Sequence, residues 1–494
     1  MSIRITNTRP RKRTKIVATL GPASSDEAVL RQMILAGLDV IRINFSHGAP
    51  DDLVTWVTLI RRLSEEMNVP IAILGDLRGP RIRVGEIETG SVHLKAGQQL
   101  LMTPRAVVGN NECVSVSFKK LANDVVVGCP ILLDDGNVEL EVEKIKNNGD
   151  VIGRVVQGDE LSSRRGVNLP GRRVSLPSIT QKDFADIDFA VEHKFDFLAL
   201  SFVQSVDDVR QLSAYLAAKG ADIPVIAKIE RQTALDDIDQ IVREAYGVMV
   251  ARGDLALEMS IQDVPIAQKR IIAACRQAAI PVITATQMLE SMETRHKPTR
   301  AEATDVANAI LDGTDALMLS GETAIGKYPE DTVAMMSSIA IRTERAWLSG
   351  ELSGPPELSP PGGIDANIAY VSHIAAKSVS ARAIIMHTTT GGTARRVACH
   401  RPHLPVLALS SIPESQRRLS LTWGVESEMV GSIQGTDDMV RLAIGQAIGC
   451  NVADPGDIVV ITAGTPYGVA DRTNMLIIEE IPEDFSVQSS GSDV

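Results

Sequence analysis

Residues 224–251 read PVIAKIERQTALDDIDQIVREAYGVMVA. Two short apolar runs, PVIAKI at 224–229 and GVMVA at 247–251, bracket a stretch patterned as an amphipathic helix. A near-continuous apolar run of strand length is what a strand covered on both faces requires, and such strands belong to parallel sheets. The first run delivers Lys228 and, just beyond its end, Glu230; the second is followed at once by Arg252, Gly253 and Asp254.

The same unit recurs outward from this stretch. Upstream lie KIVATL (15–20), VIRINF (40–45), IAILG (71–75, followed by Asp76) and FLALSF (197–202); downstream lie PVITAT (281–286) and ALMLS (316–320). Helix starts are readable between them. Ser24 with Glu27 and Thr299 with Glu302 have capping-box spacing, and Thr180 and Ser205 each have an aspartate three residues on. Eight strand–helix units predict a closed (β/α)8 TIM barrel. The alternative is an open doubly wound sheet, but no Gly-rich dinucleotide turn appears.

The chain has 494 residues, too long for one core. From 79 to 177 the pattern changes to short strand-like pieces: VHLKAGQQLLM, CVSVSF, ILLDDGNVELEVEKI and VIGRVV. This predicts an inserted all-β lid domain after the third strand, at the catalytic mouth of the barrel. GELSGPPELSPPGG (350–363) reads as a linker. Beyond it, a helix over 366–378 and strands at 383–387, 406–410, 457–462 and 475–480 predict a separate C-terminal α/β domain. The expected division is 1–78 with 178–350 as the barrel, 79–177 as the lid, and 351–494 as a C-terminal α/β regulatory domain.

Composition narrows the function. Hydrophobic residues are 44%, charged residues 23% and aromatics 3%, with a net charge of −12. An acidic chain poor in aromatics lacks the basic face and stacking platform of a nucleic-acid binder. The five cysteines are scattered without a CxxC pair, which fits a reducing compartment. No run approaches the ~18 apolar residues of a membrane span. The expectation is a cytoplasmic protein with neither nucleic acid nor membrane as partner.

In a barrel, the C-terminal ends of strands face the active site. Here they deliver Arg42, Asn44, Ser46 and His47; Asp76, Arg81 and Arg83; Lys228 and Glu230; Arg252, Gly253 and Asp254; Thr286; Ser320 and Glu322. Two carboxylates, Glu230 and Asp254, suit Mg2+ when substrate oxygens and waters complete its shell. Arg42, Arg83 and Lys228 suit phosphate, and the amides at Gly253–Asp254 suit a carboxylate. The set points to phosphoryl transfer on a small phosphorylated acid. Each residue also has a plain reading. Arg42–Asp76 and Lys228–Glu230 are possible ion pairs, Asp254 a helix cap, Thr286 a back-bonded hydroxyl and His47 a solvated loop residue.

Taken in order, TKIVATLGPASS, RINFSHG, GDLRGPRIRVG, AKIERQTAL, VMVARGDLALE, ITATQMLESM, PTRAEATDVANAILDGTDALMLSGETAIGKYP and HTTTGGTARRVACHRP resemble the pyruvate kinase family, over about residues 14–480. The resemblance implies transfer of phosphate from phosphoenolpyruvate to ADP. Glu230 and Asp254 would hold Mg2+ (or Mn2+). Lys228 would neutralise the phosphoryl group, Arg42 would hold the phosphate, and Gly253, Asp254 and Thr286 the carboxylate. Thr286, Ser320 and Glu322 would organise the proton-donating water. Pro22, His47, Arg83 and Arg165 would line the ADP/ATP site. A homotetramer is usual for the family.

Two departures carry expectations. Many family members bind K+ through positions matching Asn44, Ser46 and Asp76, then a threonine and a glutamate; here those last two are Leu77 and Arg81, so K+ is expected not to be required. Thr388, Thr390, Gly391, Gly392 and Thr393 match the effector loop, whose plain reading is a capped turn. The Trp-Arg pair that takes a second phosphate is replaced by Ala463–Gly464–Thr465–Pro466, so the expected activator is a sugar or nucleotide monophosphate. The competing readings are a Mg2+-dependent barrel enzyme acting on an enolpyruvate or aldol-type acid without ADP, and a non-catalytic sensor that keeps the effector domain.

Overall fold

The computed structural model describes residues 9–46, 50–359, 362–433, 435–466 and 472–485. Eight parallel strands form a closed barrel: β1 (Lys15–Thr19), β2 (Val40–Asn44), β3 (Ala72–Asp76), β4 (Phe197–Leu200), β5 (Val225–Ile229), β6 (Gly247–Ala251), β7 (Val282–Ala285) and β8 (Ala316–Leu319). Each pairs with its sequence neighbour. Closure comes from β1 against β8, with Lys15 opposite Ala316 and Ala18 opposite Leu319.

The barrel is apolar on both faces, which explains the unbroken runs. Val17, Val40, Leu74, Phe197, Ile226, Met249, Ile283 and Met318 form one buried cluster, and Leu421 of the C-terminal domain joins it. The alternate residues, Ile16, Ile41, Ile73, Leu198 and Val250 among them, pack against the surrounding helices. Strand side chains alternate with a period of two. The face holding Val17, Val40, Leu74 and Ile226 therefore also holds Thr19, Arg42, Asp76 and Lys228 at the strand ends.

The helix starts mostly follow the expectation. Thr180 with Asp183 and Thr299 with Glu302 form capping boxes, and the Asp208 carboxylate accepts from the Ser205 amide at 3.0 Å. The first helix is different. Its cap is Asp26, whose Oδ1 accepts from the amides of Ala28 (2.9 Å) and Val29 (3.3 Å), not Ser24. Ser24 is buried and its Oγ accepts from Gly21 N–H at 3.2 Å, closing the turn after β1. That turn needs its glycine, because a Cβ at Gly21 would stand 2.5 Å from the Ala324 carbonyl oxygen.

After β3 the chain enters a β domain with a six-stranded and a two-stranded sheet and one four-residue helical turn, Leu121–Asp124. Its own core includes Val84, Leu100, Val114, Ile131, Leu140 and Val155. The C-terminal domain carries β9 (Ala383–His387), β10 (Val406–Ser410), β11 (Val425–Met429), β12 (Ile458–Ala463) and β13 (Met475–Glu480), in the order β11-β10-β9-β12-β13 with only β13 antiparallel. Strand β11 (VESEM) is not in the expected set. It lies at the sheet edge, and four of its five residues are at least partly exposed, so it lacks the apolar run that marks its neighbours. No helix of the described residues is long and apolar enough to cross a membrane.

Candidate active site at the barrel mouth

The inner-face residues at the strand ends converge on Asp76, which is 2% exposed. Arg42 Nε meets Asp76 Oδ2 at 2.7 Å, and Lys228 Nζ meets Asp76 Oδ1 at 3.2 Å. Lys228 Nζ also reaches Glu230 Oε1 at 2.9 Å and donates to Ser201 Oγ at 2.7 Å. The second fork of Arg42 is held by Thr19, whose Oγ1 accepts from Nη1 at 2.9 Å. Burial by itself would push Asp76 up, but Lys228 and Arg42 outweigh it and hold the carboxyl below its ordinary value. Burial likewise works against the charge on Lys228, and the carboxylates of Asp76 and Glu230 reverse it, so the ammonium is held more firmly than usual.

Glu230 is the counter-case. Burial pushes its carboxyl up, Lys228 opposes, and the nearby negative charge of Asp254 adds to the rise. Its Oε2 accepts from the Phe202 amide at 2.5 Å. Asp254 lies half-buried in the short helix Arg252–Leu255 and does not cap it: the cap position is Ala251, without a side-chain bond. Among the described residues the Asp254 carboxylate accepts no hydrogen bond, although its backbone carbonyl takes Leu257 N–H at 3.0 Å. The donor set thus holds one committed carboxylate and one open one, facing each other closely enough to raise a pKa. That is a fit for a divalent cation completed by substrate oxygens. No cluster of three or more His, Cys, Asp or Glu at metal-holding geometry occurs among the described residues.

On the opposite side of the mouth, Thr286 sits at φ +68° directly after β7. Its Oγ1 donates to Ala285 O at 2.7 Å and accepts from Gly253 N–H at 3.0 Å, so the back-bonded reading is real and the hydroxyl is also tied to the next strand end. Arg252 fixes this corner: Nε donates to Ala285 O (3.1 Å), Nη2 to Thr286 O (2.6 Å), and Nη1 pairs with Asp305 (2.7 Å). Glu322, 3% exposed, accepts from the amides of Ser320 (2.6 Å) and Leu289 (3.2 Å), and burial raises its carboxyl.

Pro22 is exposed on the turn after β1. Arg83 and Arg165 are brought together at the base of the inserted domain: Arg83 is bridged to Gly166, its Nη1 donates to Arg164 O at 2.8 Å, and Arg165 Nε pairs with Asp134 at 3.2 Å. His47 lies outside the described residues. Asn44 Oδ1 accepts from Ser46 N–H at 3.0 Å. Leu77 is buried, and Arg81 is exposed with its guanidinium 6.0 Å from the Phe202 ring centre.

Two residues of this network, Thr19 and Ser201, are not picked out by type in the sequence. Their inward parity with Val17 and with Phe197 and Ala199 is the signal that could have found them.

Far from the mouth, a cavity of about 270 Å³ in the C-terminal domain is lined by Thr388, Thr390, Thr393, Ser411 and Arg472 among others. Gly391 N–H donates to Thr388 Oγ1 (2.9 Å), Gly392 N–H to Thr390 Oγ1 (3.4 Å), and Gly391 stands at φ +84°, where a side chain would be strained.

Known proteins share this architecture. The barrel-domain model of pyruvate kinase matches residues 11–333, and its alpha/beta-domain model matches residues 366–479. Pyruvate kinase 2 of Synechocystis is 44% identical over 473 residues, covering 95% of this chain and 79% of the relative. The pyruvate kinase of Mycobacterium tuberculosis is 41% identical, covering 96% and 99%. A crystal structure of a pyruvate kinase from Cryptosporidium parvum superposes with a TM-score of 0.88 at 36% identity, covering 95% of this chain and 96% of that one. With a parallel barrel whose mouth gathers buried cations beside carboxylates, and with relatives matched along nearly its whole length, the chain belongs to the pyruvate kinase family.

Proposed function

We propose that the mouth cluster transfers the phosphoryl group of phosphoenolpyruvate to ADP, and the observation that carries this is the burial of Lys228 among Asp76, Glu230 and Ser201. A lysine so placed is a permanent cation, preorganised where charge develops on the phosphoryl group in flight. Arg42, anchored by Asp76 and Thr19, holds the phosphate. The amides at Gly253–Asp254 and the Thr286 hydroxyl take the substrate carboxylate. Glu230 and Asp254 would hold Mg2+ (or Mn2+), which when bound neutralises and polarises the phosphate oxygens.

The bond between phosphorus and the enol oxygen breaks as one to a β-phosphate oxygen of ADP forms, leaving its electron pair on the enolate. Carbon then takes a proton from a water placed by Thr286 and Ser320, with Glu322 holding the Ser320 amide. Pro22, His47, Arg83 and Arg165 line the nucleotide side, and the β domain that carries the two arginines closes over it.

The same reading includes an enzyme that works without K+, supported by the buried leucine at position 77 and the arginine at position 81. It also includes activation at the threonine-lined cavity by a sugar or nucleotide monophosphate rather than a sugar bisphosphate. A homotetramer fits the exposed apolar row Ile364, Val371 and Ile374 on helix Ile364–Ser378.

The test is a lactate dehydrogenase-coupled assay with phosphoenolpyruvate, ADP and Mg2+ in tetramethylammonium buffer. Turnover in the wild type that disappears in Lys228→Met supports both the reaction and its independence of K+. Many-fold stimulation by KCl sinks the K+ reading alone. No pyruvate in either salt, with or without sugar phosphates, sinks the reaction.

A further inference from the structure

At the floor of the barrel the C-terminal domain docks through buried polar contacts. Trp423 N–H donates to Asp315 Oδ1 (3.1 Å), Ser420 Oγ donates to Pro70 O (2.7 Å), and Arg417 Nε pairs with Asp196 (2.8 Å). In this seam lies a cavity of about 10 Å³, lined by Arg276, Arg395, Arg401, Asp315 and Thr422 among others. Arg276 and Arg401 are each 4% exposed and Thr422 2%. Arg395 is half-buried, with its guanidinium 4.3 Å from the Tyr246 ring centre.

Three cations here face one carboxylate, and both of its oxygens are already engaged. Asp315 Oδ1 takes Arg401 Nη1 (3.1 Å) as well as Trp423 N–H, and Oδ2 takes Val282 N–H (3.1 Å). The outer nitrogens of the two buried arginines are committed to carbonyls: Arg401 Nη2 to Gly313 O (2.6 Å), Arg276 Nη1 to Pro356 O (3.0 Å) and Nη2 to Cys399 O (3.3 Å). What remains is a set of buried donors with no acceptor among the described residues: Arg276 Nε, Arg401 Nε, Arg395 Nη1 and Thr422 Oγ1. All four belong to side chains that line the one small cavity. Burial, reinforced by Arg401, pushes Arg276 down to about 10. Burial also pushes the Cys399 thiol up to about 12, so no thiolate supplies the missing negative charge.

An orphaned buried donor costs about 1–3 kcal/mol, and more when it is charged. The cavity has room for about one water-sized atom. A water could pass its two hydrogens only to Thr422 Oγ1 and the spare lone pair of Asp315 Oδ2, and it would leave three guanidinium charges facing one carboxylate. A monatomic anion accepts from every side and offsets the charge. Phosphate and sulfate are too large.

We propose that this seam is a halide site: a single chloride ion, held by Arg276, Arg395, Arg401 and Thr422, ties the C-terminal domain to the barrel floor. The test uses the full chain. Crystals soaked in sodium bromide should show an anomalous bromine peak within hydrogen-bond reach of Arg276 Nε and Arg401 Nε. At constant ionic strength, replacing sodium gluconate by sodium chloride should raise the melting temperature along a saturating curve. Arg395→Met and Thr422→Val should each flatten that curve. Ordered water without anomalous signal in the cavity, identical melting curves in the two salts, or an undiminished chloride response in both variants would each overturn the proposal.

Discussion

The two ends of the barrel hold buried charge clusters of opposite imbalance. At the mouth, Lys228 and Arg42 stand against Asp76, Glu230 and Asp254; both cations are paired and one carboxylate is left open. At the floor, Arg276, Arg395 and Arg401 stand against Asp315 alone, and it is the donors that are left open. Buried charge is expensive unless compensated. The sign of each imbalance therefore matches the ligand proposed there: a metal cation with its phosphate at the mouth, a small anion at the floor. The mouth opens to solvent, whereas the floor hides its imbalance in a domain seam, which suits turnover at the one and attachment at the other under the two proposals.

The largest effect expected is at the mouth. Lys228→Met leaves Asp76 and Glu230 without their shared cation. Turnover in the coupled assay should drop on the order of 10³-fold, and urea melts should show a loss of about 3–5 kcal/mol. A variant as stable as the wild type would break the view that Lys228 balances this end.

The mirror experiment is Asp315→Asn, which removes the one carboxylate at the floor. The stability cost should be about 3 kcal/mol, with turnover kept within a few-fold, and the variant should be the more chloride-dependent protein. Equal loss of turnover would mean that the two ends are not separable.

A pH experiment sharpens the mouth. Glu258, 5% exposed, accepts from Gly171 N–H of the inserted domain at 3.3 Å. Burial, opposed by Arg231, pushes its carboxyl up to about 7 from an ordinary 4.5. Between those values the folded chain holds a proton that the unfolded chain releases, so stability is full near pH 4.5, falls as pH rises through about 7, and is level above. For metal-free protein the fall contributed by this group is about 3 kcal/mol at most. Glu258→Gln should remove it, seen as equal urea midpoints at pH 5 and pH 8 once other groups are subtracted by comparison with the wild type. An unchanged pH slope would place the titration elsewhere.

The smallest effect serves as a control for both ends. Thr299→Ala removes the cap of helix Arg300–Asp312 and should cost about 1 kcal/mol by thermal melting, with no change in turnover or chloride response.

The fold was legible because its signals are local. Strands buried on both faces must be unbroken apolar runs, and all eight runs became barrel strands within a residue or two of where they were read. Strand β11 was not legible, since an edge strand with exposed glutamates has no such run. The first cap was misplaced for a related reason: Ser24 and Asp26 both have capping chemistry, and only the turn around Gly21 decides which of them faces the helix amides. At the site, residue types and the pairs Arg42–Asp76 and Lys228–Glu230 were legible at the strand ends, while the further partners were not. Arg81, read as a cation beside a monovalent ion site, has its described contact with Phe202, a ring 121 positions further along the chain.

By itself, then, the amino-acid order determined the strand–helix alternation, the break in pattern after the third barrel strand and the kinds of charge at the strand ends. These depend on periodicity and on residue chemistry, which are written within a few positions. The tertiary structure alone decided that Ser201 joins Lys228, that Thr19 steadies Arg42, and that Arg276, Arg401 and Asp315 share a seam with a charge left over. Those neighbours lie tens to hundreds of residues apart, brought together by barrel closure and domain docking, and only in that enclosure does an unpaired donor or an open carboxylate become costly enough to call for a ligand.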